Sequence, residues 1–325
     1  MCYNGIIEKF LYYLQFFWFR VKILKEVIVN KNDSGQRLDK FLKKFMPNLP
    51  NGMLYKGLRK NAVRINGRHA KTPDVFLEEG DELKLYFADE FFSAPKKIQK
   101  AEKPNICYED DNILIVNKPA GIPVHDDDKN TKETLISQIL YYLYEKGEYN
   151  PENEKSFSPA LCNRIDRNTS GLVIAAKNAE ALRFVNEKIR LRKIKKYYMC
   201  IIEGVLDEKK GVLKSSLVRE EKKVTVNDTG EGKEIVTVYE VVEEKNNRSL
   251  IKVELMTGRT HQIRAHFAHF NHPLLGDTKY GAKKDNNFKY QALCSFKLKF
   301  DFYEENHAMS YLSGLEVKIT PPFGI

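Results

Sequence analysis

Residues 255–281 read LMTGRTHQIRAHFAHFNHPLLGDTKYG, and the hydrophobic period changes inside this stretch. Leu250 to Met256 reads as a strand, which ends at Gly258. A helix is expected to begin near Thr260, with Ile263, Phe267 and Phe270 facing a core at the i, i+4, i+7 spacing. Arg264 falls beside Ile263 in this helix, and a partly buried arginine there requires an anionic partner. Working outward, Tyr197–Ile202 and Ile235–Val242 read as further strands. Ala179–Lys188 reads as a helix with Leu182 and Val185 inward. Asn112–Val116 is a short buried strand, followed by a tight turn in which Pro119 takes the second position and Gly121 the left-handed one. Strands joined by hairpins dominate, helices are few, and no regular βαβ alternation occurs. The body is therefore expected to be α+β rather than a doubly wound sheet.

One carboxylate stands out by context. The segment Asn163-Arg-Ile-Asp-Arg-Asn-Thr-Ser-Gly171 is a polar loop that runs into the apolar strand Leu172–Ala175. Asp166 is thereby held next to rigid structure yet within reach of solvent, although an aspartate in such a loop more often serves the turn itself. Arg164 and Arg167 favour its ionised form. Histidines 261, 266, 269 and 272 cluster nearby, but no H-E-x-x-H, adjacent cysteine or close acid completes a zinc site, so no metal is expected. A phosphate-binding G-x-x-x-x-G-K-[ST], a G-x-G-x-x-G after a strand and a G-x-S-x-G elbow are all missing. No nucleotide cofactor is expected, nor hydrolysis by a serine elbow.

Composition sets the frame. The chain has 325 residues, 42% apolar and 30% charged, enough for about two domains with real cores. Cysteines 2, 107, 162, 200 and 294 lie far apart, which argues against a disulfide scaffold and fits a reducing, cytoplasmic compartment. The net charge of +10 is concentrated: Arg37 to Lys71 holds ten bases and one acid, and the other 290 residues sum to +1. A local field of this strength attracts a polyanion, most simply a nucleic-acid backbone. The apolar run Phe10–Phe19 is half the length needed to span a bilayer. Residues 1–20 are read as an extension outside the fold, and Val21 as its natural beginning.

Within the basic window, Leu38, Phe41, Leu42 and Phe45 form one helical stripe, with Asp33 and Gln36 expected as a capping box. Pro47 and Pro50 end that helix. Asn51 is expected to cap a second one, whose Leu54 and Leu58 face inward and whose Lys56, Arg59 and Lys60 share the opposite face. Val63 and Ile65 lead into the hairpin signal Asn66-Gly67, and LKLYF closes the module after Glu79-Gly80-Asp81. Residues 88–105, with four lysines and two prolines, read as a connector.

RLDKFL…LYKGLRKNAVRINGR…LEEGDELKLY resembles the small RNA-binding domain named after a ribosomal small-subunit protein, the S-four domain, here at 25–87. That resemblance implies phosphate contacts by Lys56, Arg59, Lys60, Arg64 and Arg68. Residues 106–325 resemble RNA pseudouridine synthases that pair an HRLDxxTSG loop with a GRTHQIRxH helix. The resemblance rests on NILIVNKPAGIPVH, NRIDRNTSGLVIAAKN, KKYYMCIIEG and the opening 27-residue stretch. The chain departs from the pattern with Asn163 in place of His and Ile165 in place of Leu. The implied architecture is a mixed or antiparallel sheet flanked by helices, behind the basic α/β-hairpin module.

The resemblance further implies isomerisation of uridine in RNA, with no cofactor and no metal. Asp166 would be the catalytic carboxylate, acting either as a nucleophile at the anomeric carbon or as a base leading to a glycal. Arg264 would keep it ionised and oriented. Tyr198 would pack on the flipped uracil, and Arg164 would fill the gap left in the RNA. As a plain strand, YYMCII leaves open whether Tyr197 or Tyr198 points inward. The basic module favours large-subunit ribosomal RNA over a tRNA loop. Neither a membrane nor a protein partner is implied. Two rivals remain: an RNA-binding assembly protein without catalysis, and a two-carboxylate glycoside-type hydrolase, for which no second acid in a comparable loop is evident.

Overall fold

The computed structural model describes residues 23–92, 97–126, 133–219, 224–303 and 307–325. The extension expected at residues 1–20 lies outside them. The chain forms two compact units. Of the described residues, one comprises those up to Lys97 together with Asn150–Ser158, the other those of Ile98–Tyr149 and Pro159–Ile325.

In the first unit, β1 (Ile23–Ile28), α1 (Leu38–Phe45), α2 (Asn51–Arg59), β2 (Val63–Ile65), β3 (Arg68–His69) and β4 (Glu82–Phe87) build a four-stranded sheet of order β1-β4-β2-β3 covered by two helices. The helical stripe works as expected: Leu38, Phe41 and Leu42 are fully buried, as are Leu54 and Leu58 of α2. Asn66 and Gly67 both take positive φ, 50° and 76°, which is what the two-residue turn pairing Ile65 with Arg68 requires. The caps differ from expectation. α1 begins only at Leu38 behind Arg37, so Asp33 lies too far upstream to reach its first turn. Asp33 is instead buried, and its Oδ1 accepts from both N and Oγ of Ser156. Pro50 occupies the N-cap of α2 and Asn51 is already its first helical residue.

The second unit is α+β. It contains β5 (Ile106–Glu109), β6 (Ile113–Lys118), α3 (Leu135–Glu145), β7 (Ala160–Leu161), β8 (Ser170–Ala176), α4 (Ala179–Arg190), β9 (Ile194–Glu203), β10 (Lys210–Arg219) and β11 (Val224–Asn227). β12 (Lys233–Lys245), β13 (Arg248–Leu255), α5 (Gln262–His269), β14 (Leu293–Phe300) and β15 (Glu316–Lys318) follow. The large sheet runs β11-β10-β12-β13-β9-β14-β8-β6-β5, with β15 on β14 and β7 on β8. Its pairs are antiparallel except β8 with β14, which run parallel at Ser170–Gly171 and Cys294–Ser295.

All seven residues of β8 are buried, because helices cover both faces. Val173 and Ala175 join the core that includes Leu135, Ile139 and Leu143 of α3, and Leu172, Ile174 and Ala176 join the core under Ala181, Phe184 and Val185 of α4. Each large side chain sunk this way contributes roughly 1.5–3 kcal/mol. α3 starts at a reciprocal cap between Thr134 and Ser137. α5 is shorter than its sequence pattern suggests. His261 sits left-handed before its first residue and Asn271 after its last, so Phe270 falls outside the helix and is 40% exposed rather than core.

Candidate active site

Three neighbouring strands set the geometry. Ser295 of β14 stands opposite Gly171 of β8 on one side and Tyr198 of β9 on the other. A side chain at Gly171, held at φ 115°, would collide with the Ser295 backbone. Glycine there lets the loop bearing Asp166 enter the sheet in line with Tyr198.

The loop is stitched from several directions. Lys118, fully buried at the end of β6, donates at 2.8 Å to each of three carbonyls, those of Pro119, Ile122 and Arg167. Gly121 N–H donates to the same Arg167 carbonyl. Burial pushes the Lys118 ammonium down to about 7 while the charge of Asp166 opposes that shift. The three acceptors match its three protons and favour the charged form. Thr169 N–H donates to the Asp166 carbonyl, and Gln291 Nε2 to the Thr169 hydroxyl. Asn163 Oδ1 accepts from Ile174 N–H at 2.8 Å and so ties the loop back onto β8.

The start of α5 is fixed with comparable economy. Gln262, 2% exposed, accepts from Thr257 Oγ1 and Arg259 N–H, and donates to the Val236 carbonyl and to Thr237 Oγ1. Arg264 then lies in the first turn of α5. Its Nη1 donates to Asp166 Oδ2 at 2.9 Å, while Nε and Nη2 form a two-pronged pair with Asp277 at 2.6 and 2.8 Å. Burial alone would lower the pKa of Arg264, but the hydrogen bonds and charges of Asp277, then of Asp166, carry it above its ordinary value. Asp277 is 2% exposed and its two oxygens are taken by this pair, whereas the Asp166 carboxylate keeps 25% of its surface open. The result is a buried anion holding a cation that in turn holds an accessible anion.

Asp166, Arg264, Tyr198 and Arg164 all line one cavity of about 630 Å³, a size suited to a small molecule or one extruded nucleotide. Tyr198 is the inward tyrosine, 6% exposed. Tyr197 lies half-exposed on the other face near Lys252 and Lys297. Burial raises the Tyr198 hydroxyl above its ordinary range, so it is a neutral phenol at pH 7. His261 closes another wall. Its Nδ1 meets Tyr280 Oη at 2.8 Å and its Nε2 lies 3.8 Å from Asp166, with burial lowering its pKa toward the neutral ring. The Tyr280 ring also stacks on the Arg264 guanidinium, 5.0 Å from its centre. The other clustered histidines have separate partners: His266 meets Thr237, His269 meets Asp228, and His272 meets the Glu203 carbonyl.

A model of the RNA pseudouridylate synthase family matches residues 112–269. A chain of Aquifex aeolicus named as an uncharacterized RNA pseudouridine synthase is 33% identical over 257 residues, which is 77% of this chain and 78% of that one. The protein belongs to the RNA pseudouridine synthase family. It is an isomerase acting on RNA. The ribosomal large subunit pseudouridine synthase C of Buchnera aphidicola is 33% identical over 274 residues, 81% of this chain and 83% of its own. Among solved structures, human RNA pseudouridylate synthase domain containing 1 shares the fold, with a TM-score of 0.54 at 22% identity over 71% of this chain and 87% of that one.

The sequence did not single out Asp277, Lys118, Lys196 or Tyr280. Asp277, Lys118 and Tyr280 owe their places to partners beyond their own element, although NKPAG already marked the Lys118 turn, and Lys196 owes its place to the alternation along β9. On the first unit of the synthase, Lys56, Arg59, Lys60 and Arg68 are exposed, while Arg64 is held by Asn61 and lies over the Tyr86 ring. Among the described residues no helix is long and apolar enough to cross a membrane.

Proposed function

We propose that this synthase converts specific uridines of large-subunit ribosomal RNA to pseudouridine, with Asp166 as the catalytic carboxylate and the target base turned out of its stack. The observation that carries this reading is the chain Asp277–Arg264–Asp166 at the cavity wall. It holds one carboxylate oriented and open, as attack at the anomeric carbon or proton removal from the ribose requires. A neutral Tyr198 offers a ring for the uracil to pack on and a hydroxyl for proton movement at carbon 5. Arg164, exposed at the rim, fills the place of the extruded base. The relatives named for the large ribosomal subunit support that RNA as the target.

Residues 25–87 act in this reading as an S-four-type RNA-binding domain, joined through 88–105 to the catalytic domain at 106–325. Its phosphate contacts offset the unstacking of the target, which costs a few kcal/mol. Incubation with transcribed large-subunit ribosomal RNA should yield carbodiimide-reactive, mass-silent uridines at defined positions. Free uracil in the supernatant would mean hydrolysis, and tRNA as the better substrate would move the target.

Replacing Lys56, Arg59 and Lys60 together is expected to weaken binding of that RNA and flatten its log–log salt dependence by up to ~3, one per lost phosphate contact. Isomerisation at saturating RNA should persist. A slope equal to that of the unaltered protein would reduce this helix face to ordinary solvated charge.

A further inference from the structure

Lys196 lies on β9 two residues before Tyr198, so both side chains leave the strand on one face, and both line the cavity that holds Asp166. Among the described residues its ammonium has no carboxylate partner and no hydrogen-bond acceptor. The contrast with its neighbours is sharp. Lys195, more exposed, pairs with Asp301 at 2.7 Å, and the buried Lys118 is enclosed by three carbonyls. Burial lowers the Lys196 pKa. A half-buried cation without an anion is costly, and it persists where a ligand supplies the anion.

The surroundings fit such a ligand. Lys196 Nζ lies 3.6 Å from where a Gly258 Cβ would stand, so the ammonium sits against the Gly258 backbone in the cavity wall. Gly258, Arg259 and Thr260 form the adjoining wall and lead into α5, whose N-terminal end adds partial positive charge. Arg219 and Arg259 are exposed on the same cavity. RNA carries one kind of full anion, its phosphodiester.

We infer that Lys196 binds a phosphodiester flanking the target uridine, fixing the adjacent ribose against Asp166. This rests on the uridine-isomerising reading above. The contact forms only once the nucleotide has entered the cavity, so it rewards base flipping rather than general RNA attachment.

The test begins by mapping the modified uridine in transcribed large-subunit ribosomal RNA with the unaltered enzyme. No pseudouridine at this step would refute the functional reading itself, before any variant is compared. Lys196→Met is then expected to lower the single-turnover rate at subsaturating RNA by about ten- to a hundredfold, the range for a lost charge-assisted hydrogen bond. The salt slope of binding should fall by about one. Lys196→Arg should recover part of both. Lys196→Met should melt no lower than the original, because it removes an unpaired, half-buried charge.

A synthetic hairpin around the mapped uridine, with a neutral methylphosphonate either 5′ or 3′ of it and matched 2′-deoxy controls, identifies the linkage. One neutral linkage should weaken binding to the original protein and leave binding to Lys196→Met nearly unchanged. Equal losses for both proteins at each linkage would overturn the assignment. So would unaltered kinetics in Lys196→Met, or a large fall in its melting temperature.

Discussion

Asp166→Asn is expected to reduce pseudouridine formation to background in single turnovers with enzyme in excess, while RNA affinity stays nearly unchanged. Asparagine keeps the size of the side chain but can act neither as a nucleophile nor as a base. Affinity should survive because phosphate contacts dominate binding of RNA. The fold should survive as well. Arg264 still donates two hydrogen bonds to Asp277 when Asp166 loses its charge, so no buried cation is stranded. Thermal melting checks that point, and pseudouridine per RNA checks the chemistry. Appreciable product from pure Asp166→Asn protein would remove the catalytic assignment and the mechanism built on it.

The second large effect is expected at Arg264 and is double. Arg264→Met removes the cation beside Asp166 and also leaves Asp277, 2% exposed, as an uncompensated buried charge. Breaking a buried pair from one side costs about 3–5 kcal/mol, so this variant should lose stability as well as activity. Arg264→Met combined with Asp277→Asn should recover much of the stability in denaturant melts without recovering the rate. Arg264→Lys should fall between, because one ammonium cannot reproduce a guanidinium that serves two carboxylates at once. In an Asp166→Asn background, changes at Arg264 should alter stability and leave the already absent chemistry as it is. A fully active Arg264→Met/Asp277→Asn protein would show that Arg264 does nothing for Asp166. An Arg264→Met protein as stable as the original would show that Asp277 does not depend on it.

The sequence by itself determined what depends on neighbours within a few residues. The stripe Leu38, Phe41, Leu42, the turn at Asn66-Gly67 and the apolar run after Gly171 are local patterns, and backbone sterics with side-chain period decide them before any long-range contact forms. The motif around Arg264 also stated that this arginine needs an anion. The resemblance paired it with Asp166, and the tertiary structure added Asp277. Asp166 lies 98 residues away and Asp277 13 residues away across an irregular loop, so neither helical nor strand spacing brings them to the guanidinium.

Capping went wrong for a related reason. Asp33 had the composition of a cap, but Ser156, 123 residues on, offered it two donors, and the helix starts too late to compete. Tertiary packing likewise settled YYMCII. Two adjacent tyrosines point to opposite faces of any strand, and only the pairing of Tyr198 with Ser295, in line with Gly171, says which face holds the cavity. Period fixes that side chains alternate. Register against distant strands fixes where they point, and that register is set by burial summed over the whole sheet.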